Sequence, residues 1–409
     1  MSQYRLLHTL LLRFLYALSE DPTWLQEMHR ITNGKGEPML NSDPARSPSI
    51  GAIAVTQSRL GTVAQFQAGV TGIGGLPHTD PEAAVHFIAE VCPKAPFWPQ
   101  LPRRSRDEYM LLQMMTPLLD LLQPRSAARI NIRSSAAFQR RLRTAEAAFD
   151  LSSAAGFFAF ERACAAGAFD NARVLKGQLS GPLTLGRCLF VGDQPLMLNP
   201  ELMDDLTDYL ARLAVWQVKR LARFGRPVML FVDEPALSPA LSTPSQLFHL
   251  RRVLDAIRAA GAIAGVHCCA SGAASALFEI APDVISFDAY GELEPYMESL
   301  EITNYLAQGG GLAFGLIPTL TDPWEVSAKT LFYRWQKAVV GVPGCDPGVV
   351  AQQTLITASC GLGLLSEQAA RASFEQAQRL SALLRSELMM DASVQWPLSN
   401  RWFGHLVNH

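Results

Sequence analysis

Eight short apolar runs recur along the chain from residue 68 onward, and longer stretches with a helical pattern separate them. Most of the runs are continuously apolar rather than alternating, which is typical of strands buried on both faces of a parallel sheet. The predicted strands cover residues 70–75, 96–101, 174–180, 227–233, 262–269, 284–288, 312–318 and 354–360. Eight strands that alternate with helices predict an α/β protein built as a (β/α)8 TIM barrel.

Capping signals mark the predicted helices between the strands. Three helices begin with a capping side chain followed by proline, at Asp80-Pro81, Asn199-Pro200 and Thr243-Pro244. Gly225 and Gly261 follow the second and third of these helices as stop signals. Helical patterns over 323–340 and 365–388 complete the set, and residues 103–167 predict a mainly helical insertion after the second strand.

An open doubly wound sheet is the alternative fold. That fold places a glycine-rich phosphate-binding turn directly after its first strand. The segment Thr71-Gly-Ile-Gly-Gly-Leu76 is superficially similar to such a turn, but Pro77 follows it. A lone glycine cluster is a weak signal, so the closed barrel is favoured.

The chain divides into a short N-terminal extension with its linker, residues 1–67, and the barrel, residues 68–409. Residues 4–18 are apolar, but Arg5, His8 and Arg13 interrupt them. No uninterrupted stretch reaches the roughly 20 residues of a membrane span, so we expect an amphipathic helix and no stable membrane insertion. Residues 33–49 are rich in Gly, Pro, Asn, Asp and Ser, which is typical of a linker.

The composition narrows the class of protein further. Of the 409 residues, 49% are hydrophobic and 18% are charged, which favours a large buried core and excludes a disordered chain. A formal net charge of −2 provides no basic surplus for binding nucleic acid. The seven cysteines are odd in number and irregularly spaced, so we expect reduced thiols and a cytoplasmic protein rather than a disulfide framework.

Reactive side chains stand at the predicted carboxyl ends of four strands, where barrel enzymes hold their active sites. They are Asp233, His267, Cys269, Asp288 and Cys360. His267 and Cys269 are two positions apart on an extended segment, so their side chains point to the same side. Imidazole and thiolate are favoured zinc ligands, and the sequence therefore predicts a Zn²⁺ site with Asp288 as an additional carboxylate.

Core packing is the alternative role for every cysteine, because free cysteines are commonly buried as small apolar residues. Cys268 is expected to point away from its two neighbours, toward the barrel wall. The remaining cysteines have no such placement and are expected to pack in the core: Cys92, Cys164, Cys188 and Cys345.

Five segments resemble the catalytic half of cobalamin-independent methionine synthase, a family within the uroporphyrinogen decarboxylase-like barrels. The segments are Thr71-Gly-Ile-Gly-Gly-Leu-Pro77, Ser180-Gly-Pro-Leu-Thr184, Val232-Asp-Glu-Pro-Ala-Leu237, Val266-His-Cys-Cys269 with Asp283-Val-Ile-Ser-Phe-Asp288, and Ser359-Cys-Gly361. The resemblance covers residues 68–409. The chain is also similar to zinc methyltransferases that move methyl groups from corrinoid proteins to small thiols.

The resemblance implies a metal centre made of particular residues. His267, Cys269 and Cys360 match the zinc ligands of the family. Asp288 stands at the position of the fourth ligand, which is a glutamate in the family and one methylene longer. Asp288 is expected to fill the fourth position at rest and to yield it to the substrate.

The resemblance also implies a substrate site. Asp233 matches the carboxylate that holds the amino group of homocysteine, and Glu234 follows it in the same Asp-Glu-Pro segment. Gly74 and Gly75 belong to the turn that binds the amino-acid carboxylate. Gly75 replaces a serine of the family, so backbone N–H groups are the expected donors.

The implied activity is a methyltransferase that converts homocysteine to methionine, similar to the 5-methyltetrahydropteroyltriglutamate– or methylcobamide–homocysteine S-methyltransferases. The partners are then a small thiol and a corrinoid protein, methylcobalamin or a methyl-folate. The family's catalytic histidine has no counterpart, since no histidine lies between His267 and His405. This favours a corrinoid donor, because the leaving nitrogen of folate needs a proton and cob(I)alamin does not.

The sequence is compatible with two other functions. A uroporphyrinogen decarboxylase-like enzyme needs no metal and would use basic residues such as Arg103 and Arg104 for the substrate carboxylates. A barrel that binds a corrinoid or a thiol without turnover is the second alternative. Metal content separates the first from the proposed enzyme, and turnover separates the second.

Overall fold

A seven-stranded parallel sheet forms the centre of the protein. The computed structural model describes residues 63, 66–126, 128–238 and 243–391. Its strands are β1 (Gly69–Val70), β2 (Leu122–Ser126), β3 (Arg129–Ile132), β4 (Leu175–Ser180), β5 (Leu189–Val191), β6 (Gln194–Pro195), β7 (Val228–Asp233), β8 (Ile263–Cys268), β9 (Val284–Phe287), β10 (Gly311–Ile317) and β11 (Thr354–Ala358). Seven of them pair in parallel in the order β1-β11-β10-β9-β8-β7-β4, which is consistent with a TIM-like barrel.

Helices connect the strands of this sheet. They are α1 (Pro81–Val91), α2 (Met110–Gln113), α3 (Ser135–Thr144), α4 (Ala155–Ala165), α5 (Pro182–Cys188), α6 (Pro200–Ala222), α7 (Pro244–Ala259), α8 (Ala274–Ile280), α9 (Leu293–Met297), α10 (Ile302–Ala307), α11 (Ala328–Val340), α12 (Pro347–Gln352) and α13 (Glu367–Asp391). The predicted starts of α1, α6 and α7 are confirmed. At α1, the Asp80 carboxylate accepts hydrogen bonds from the N–H groups of Glu82 and Ala83, at 2.8 and 3.0 Å.

The predicted ends of α6 and α7 are confirmed, whereas the start of one later helix differs from the prediction. Gly225 and Gly261 adopt positive φ angles of 67° and 88° after α6 and α7, a conformation that glycine reaches without strain. Helix α11 begins at Ala328 rather than at residue 323. The hydroxyl of Ser327 accepts a hydrogen bond from the Thr330 N–H at 3.1 Å and caps the helix there.

The predicted second strand is present as two single bridges rather than as a regular strand. Phe97 bridges Lys176 of β4, and Gln100 bridges Gly75, both in parallel. The prolines of the Pro-Phe-Trp-Pro segment explain the interruption, because proline has no N–H to donate to a ladder. The first strand is likewise shorter than predicted and ends at Val70.

Alternate residues of the sheet pack on opposite sides. One cluster of buried side chains contains Met229 and Phe231 of β7, Ile263 of β8 and Val284 of β9. The residues between them belong to a separate and much larger cluster, which the helices cover. The first cluster therefore lies on the inner face of the curved sheet. The same parity places the side chains at the strand ends, from Asp233 onward, above this inner face.

A second, four-stranded sheet was not predicted. It has the order β2-β3-β5-β6, with antiparallel pairs at both ends and a parallel pair between β3 and β5. The prediction of a mainly helical insertion was wrong for Leu122–Ser126 and Arg129–Ile132, which are strands. Leu122–Ser126 contains a proline and no apolar alternation, and Arg129–Ile132 alternates over only four residues, so both strands carry little hydrophobic signal.

Most of the predicted N-terminal extension lies outside the described residues, so its helix and linker stay predictions. Among the helices that the structure describes, none is long and apolar enough to cross a membrane. All seven cysteines lie in the described part of the chain and are free thiols, as expected.

Candidate metal centre

The structure brings together three of the four predicted metal ligands. His267 and Cys269 come from the end of β8, and Cys360 comes from the bend that follows β11. One potential ligand atom from each residue lies within 4.8 Å of those of the other two. We call His267, Cys269 and Cys360 the ligand triad. Cys269 and Cys360 are 91 positions apart in the sequence, so the fold and not the local sequence assembles the triad.

The imidazole of His267 is buried and presents two different nitrogens. Nδ1 lies 2.9 Å from the hydroxyl of Ser286 on β9. Nε2 is buried and has no hydrogen-bond partner among the described residues. A buried polar atom without a partner is costly, and a metal ion in the triad would satisfy it.

The two thiols of the triad interact directly. Their Sγ atoms are 3.8 Å apart and share one hydrogen bond. This hydrogen bond and the neighbouring His267 hold the pKa of Cys360 well below its ordinary value, whereas the same hydrogen bond raises the pKa of Cys269. One imidazole and two thiols, of which one is easily ionised, form a donor set that fits Zn²⁺.

Asp288 lies at the end of β9 but is not part of the triad. Its Oδ1 atom accepts hydrogen bonds from the N–H groups of Tyr290 and Gly291, both at 3.0 Å. Burial raises the pKa of Asp288 to about 6. The carboxylate thus stabilises the turn that follows β9, and its role as a metal ligand stays a prediction.

The neighbouring carboxylates Asp233 and Glu234 have different environments. Asp233 is 5% exposed, and its buried Oδ1 has no partner within the described part of the chain. Burial raises the pKa of Asp233 to about 6. Glu234 is fully buried and accepts hydrogen bonds from the N–H groups of Leu183 and Thr184 and from the Thr184 hydroxyl, at 2.6 to 2.9 Å. Glu234 therefore caps α5, and Asp233 is the carboxylate with a free oxygen.

The turn with Gly74 and Gly75 lies against the loop that follows Cys360. The carbonyl of Gly75 accepts a hydrogen bond from the Leu362 N–H at 2.9 Å. A Cβ atom added at Gly74 would lie 2.7 Å from Oε1 of Gln100, so a larger residue would not fit without movement. The predicted carboxylate-binding turn and the third ligand of the triad are thus neighbours.

Lys176 is a buried charged residue near the site that was not predicted from the sequence. It is 2% exposed on the inner side of β4, and its ammonium group donates hydrogen bonds to the Ile73 carbonyl at 2.6 Å and to Oε1 of Gln178 at 3.2 Å. The Nζ atom lies 4.9 Å from the ring centroid of Phe231. The polar residues Lys176, Gln178 and Ser180 alternate with apolar ones, a period of two that is a signal for a polar inner face.

The cysteines outside the triad pack among apolar residues, as predicted. Cys268 is 1% exposed and belongs to the cluster between the sheet and the helices, so the expectation that it faces the wall is confirmed. Cys92, Cys164 and Cys188 are buried in the same cluster, and Cys345 packs against it. Burial raises the pKa of Cys268 to about 12, so this thiol stays protonated beside the triad.

Among known proteins, the matches to this chain are solved structures of similar fold. No family model and no curated protein matches the chain. The chain is similar to a B12-independent methionine synthase structure from a Shewanella species, at 19% identity and a TM-score of 0.40, over 53% of this chain and 63% of that one. It is similar to a methyltransferase from Methanosarcina mazei, at 12% identity and a TM-score of 0.49, over 81% of this chain and 98% of that one.

A glycoside hydrolase is also among the similar structures. It is a β-mannanase from Alicyclobacillus acidocaldarius, at 12% identity and a TM-score of 0.35, over 57% of this chain and 78% of that one. At such identities and TM-scores these likenesses carry no argument about activity, and barrels of this kind support unrelated reactions. The residues of the site are therefore the evidence for function.

Proposed function

We propose that the protein is a zinc-dependent methyltransferase that moves a methyl group to a small thiol, with homocysteine as the thiol and methionine as the product. The observation that carries this proposal is the ligand triad, in which a buried imidazole nitrogen without a partner lies beside two thiols. Three protein ligands leave one position of a tetrahedral zinc site open, as in catalytic rather than structural sites.

Different residues of this chain have different roles in the proposed reaction. Zinc held by the triad supplies a Lewis acid that keeps a bound substrate thiol ionised at neutral pH. Asp233 accepts hydrogen bonds from the substrate ammonium group and orients the thiol. Backbone N–H groups near Gly74 and Gly75 bind the substrate carboxylate. Asp288 is the proposed fourth ligand at rest, and the substrate thiol would replace it there.

The proposal includes a closed barrel around this site. The single bridges of Phe97 to Lys176 of β4 and of Gln100 to Gly75 support this proposal, with residues 97–100 as the proposed eighth strand. Closure brings the carboxyl ends of β7, β8, β9 and β11 to one rim, where a substrate reaches the triad from outside.

A methylated corrinoid is the proposed donor, with methyl-folate as the alternative. His78 is the histidine beside the first-strand turn, and burial lowers its pKa despite the nearby carboxylates of Glu367 and Asp80. A neutral imidazole is a poor acid for protonating a folate nitrogen. The lack of any histidine over residues 268–404 points the same way.

The uroporphyrinogen decarboxylase-like alternative requires Arg103 and Arg104 to bind the carboxylates of the substrate. Arg103 donates hydrogen bonds to the carbonyls of Gly363 and Leu364, at 3.0 and 2.6 Å. Arg104 forms an ion pair with the buried Glu108 at 2.7 Å. Both arginines are thus engaged within the protein, and no observation favours this function over the methyltransferase.

The decisive experiment measures zinc and turnover on the full-length protein. We expect one zinc ion per chain after metal-replete purification, and methionine from homocysteine with methylcobalamin or methyl-folate. The variant with both His267→Ala and Cys360→Ala should lose the zinc, whereas Cys345→Ala, a thiol outside the triad, should retain it. Zinc retained by the double variant would refute the site, and zinc without methionine from either donor would refute the activity.

A further inference from the structure

Ser286 is the hydrogen-bond partner of His267 across the sheet. The two residues are directly paired in the parallel ladder between β8 and β9. Ser286 is 1% exposed, and its Oγ atom lies 2.9 Å from Nδ1 of His267. Both side chains point to the inner face, so the ladder itself fixes their separation.

The direction of this hydrogen bond decides whether His267 can bind a metal. A neutral imidazole carries its proton on one of the two ring nitrogens. When Nδ1 carries it and donates to Ser286, Nε2 offers a lone pair beside the two thiols. When Ser286 donates to Nδ1 instead, Nε2 carries the proton and cannot be a ligand.

We propose that Ser286 is a positioning residue, which holds His267 in the tautomer protonated at Nδ1 and so presents Nε2 to the metal. This inference rests on the proposed function, because it takes the triad to be a metal site. The buried Nε2 without a partner supports it. Since the ring is already oriented by the ladder, little ordering of His267 is needed when the metal binds.

The test compares the zinc affinity of Ser286→Ala with that of the wild type, by competition with a chromogenic chelator. Loss of such an outer partner typically weakens metal binding about 10- to 100-fold, and we expect a loss in this range. Ser286→Thr keeps the hydroxyl and should restore the affinity. Ser381→Ala is the matched control: this equally buried serine donates to the Ala68 carbonyl at the amino end of β1, away from the triad.

A double-mutant cycle separates the proposed role from a general loss of stability. In the His267→Ala background, Ser286→Ala should have no further effect on zinc affinity, because Ser286 acts through His267. Circular dichroism checks the fold, and Ser286→Val, which has the shape of the Ser286→Thr variant without its hydroxyl, serves if the alanine variant does not fold. The absorption spectrum of the cobalt-loaded protein gives a second readout of the ligand set.

The outcomes distinguish this inference from the proposed function. An unchanged zinc affinity in Ser286→Ala, with tight binding in the wild type, would overturn the role of Ser286 and leave the metal site intact. A loss of equal size in the His267→Ala background would also overturn it. Zinc affinity that is equal in the wild type and in Cys269→Ala would overturn the metal site, and the role of Ser286 with it.

Discussion

Lys176 is expected to reduce the stability of the protein at neutral pH, and replacing it with methionine tests this. Burial lowers the pKa of Lys176 from its ordinary value of 10.5 to about 8. Each pKa unit corresponds to about 1.4 kcal/mol, so keeping the charge in the folded state costs about 3 kcal/mol at pH 7. Methionine has a similar length and carries no charge, so Lys176→Met removes this cost.

The lost hydrogen bonds of Lys176 oppose that gain. The Ile73 carbonyl loses its donor, and an unsatisfied buried acceptor costs about 1–3 kcal/mol. The net effect of Lys176→Met at pH 7 is therefore expected to be small. The buried Asp233 carboxylate also loses its favourable charge interaction with Lys176, which further reduces the gain.

The pH dependence provides the sharper measurement. Between pH 8 and 10.5 the unfolded state binds the lysine proton more strongly than the folded state, so wild-type stability rises with pH through this range. Urea unfolding of the metal-free protein should show the variant losing about 3 kcal/mol relative to the wild type between pH 7 and 10.5. The exposed Lys219→Met variant is the control. A difference between Lys176→Met and wild type that does not change with pH would refute the reasoning.

Three further predictions concern the site and its support. Asp233→Asn should raise the KM for homocysteine about 10-fold or more without loss of zinc, and wild-type kcat/KM should fall below about pH 6, where Asp233 becomes protonated. Glu234→Ala should lower the free energy of unfolding by about 2–4 kcal/mol in urea titrations, because two N–H groups of α5 lose their acceptor. Gly315→Ala should cost about 1–3 kcal/mol and weaken zinc binding, since its Cβ would lie 2.5 Å from the Phe287 carbonyl oxygen and 2.8 Å from the Ser359 Cα.

Each of these three predictions has a contrary outcome. An unchanged KM in Asp233→Asn would remove the ammonium-binding role of this carboxylate. Wild-type stability in Glu234→Ala would mean that water satisfies the start of α5. Full zinc affinity in Gly315→Ala would show that the neighbouring strands shift without moving the triad.

The parallel sheet was predictable because its strands are buried on both sides. The continuous apolar runs at 227–233 and 262–269 match β7 and β8 to within a residue at each end. The small second sheet was not predictable, because its half-buried strands show no such run. The second predicted strand was only partly right, since the hydrophobic pattern was present while the prolines removed the N–H groups that a ladder needs.

The side chains of the site were predictable where they follow a strand, and their partners were not. His267 and Cys269 could be found from the H-x-C spacing at a strand end, which requires only the sequence of one element. Ser286 becomes visible only when β8 and β9 are placed in register, because its role depends on His267 of the neighbouring strand. The period-two pattern marks Lys176 as an inner-face residue, but its contact with the Ile73 carbonyl depends on the fold. Registers between strands are set by packing of the whole sheet, and a single sequence does not reveal them.

Cys360 shows how a small departure from regular structure completes the site. The predicted strand runs to residue 360, and its parity would direct Cys360 outward, since Leu355 points to the inner face. The observed strand ends at Ala358, and the N–H of Ser359 bonds to the Ile317 carbonyl at 2.8 Å, beside an irregularity in the register of β10. The chain then bends and brings the thiol to within 3.8 Å of Cys269. The early end of β11 is therefore as necessary for the triad as the cysteine itself.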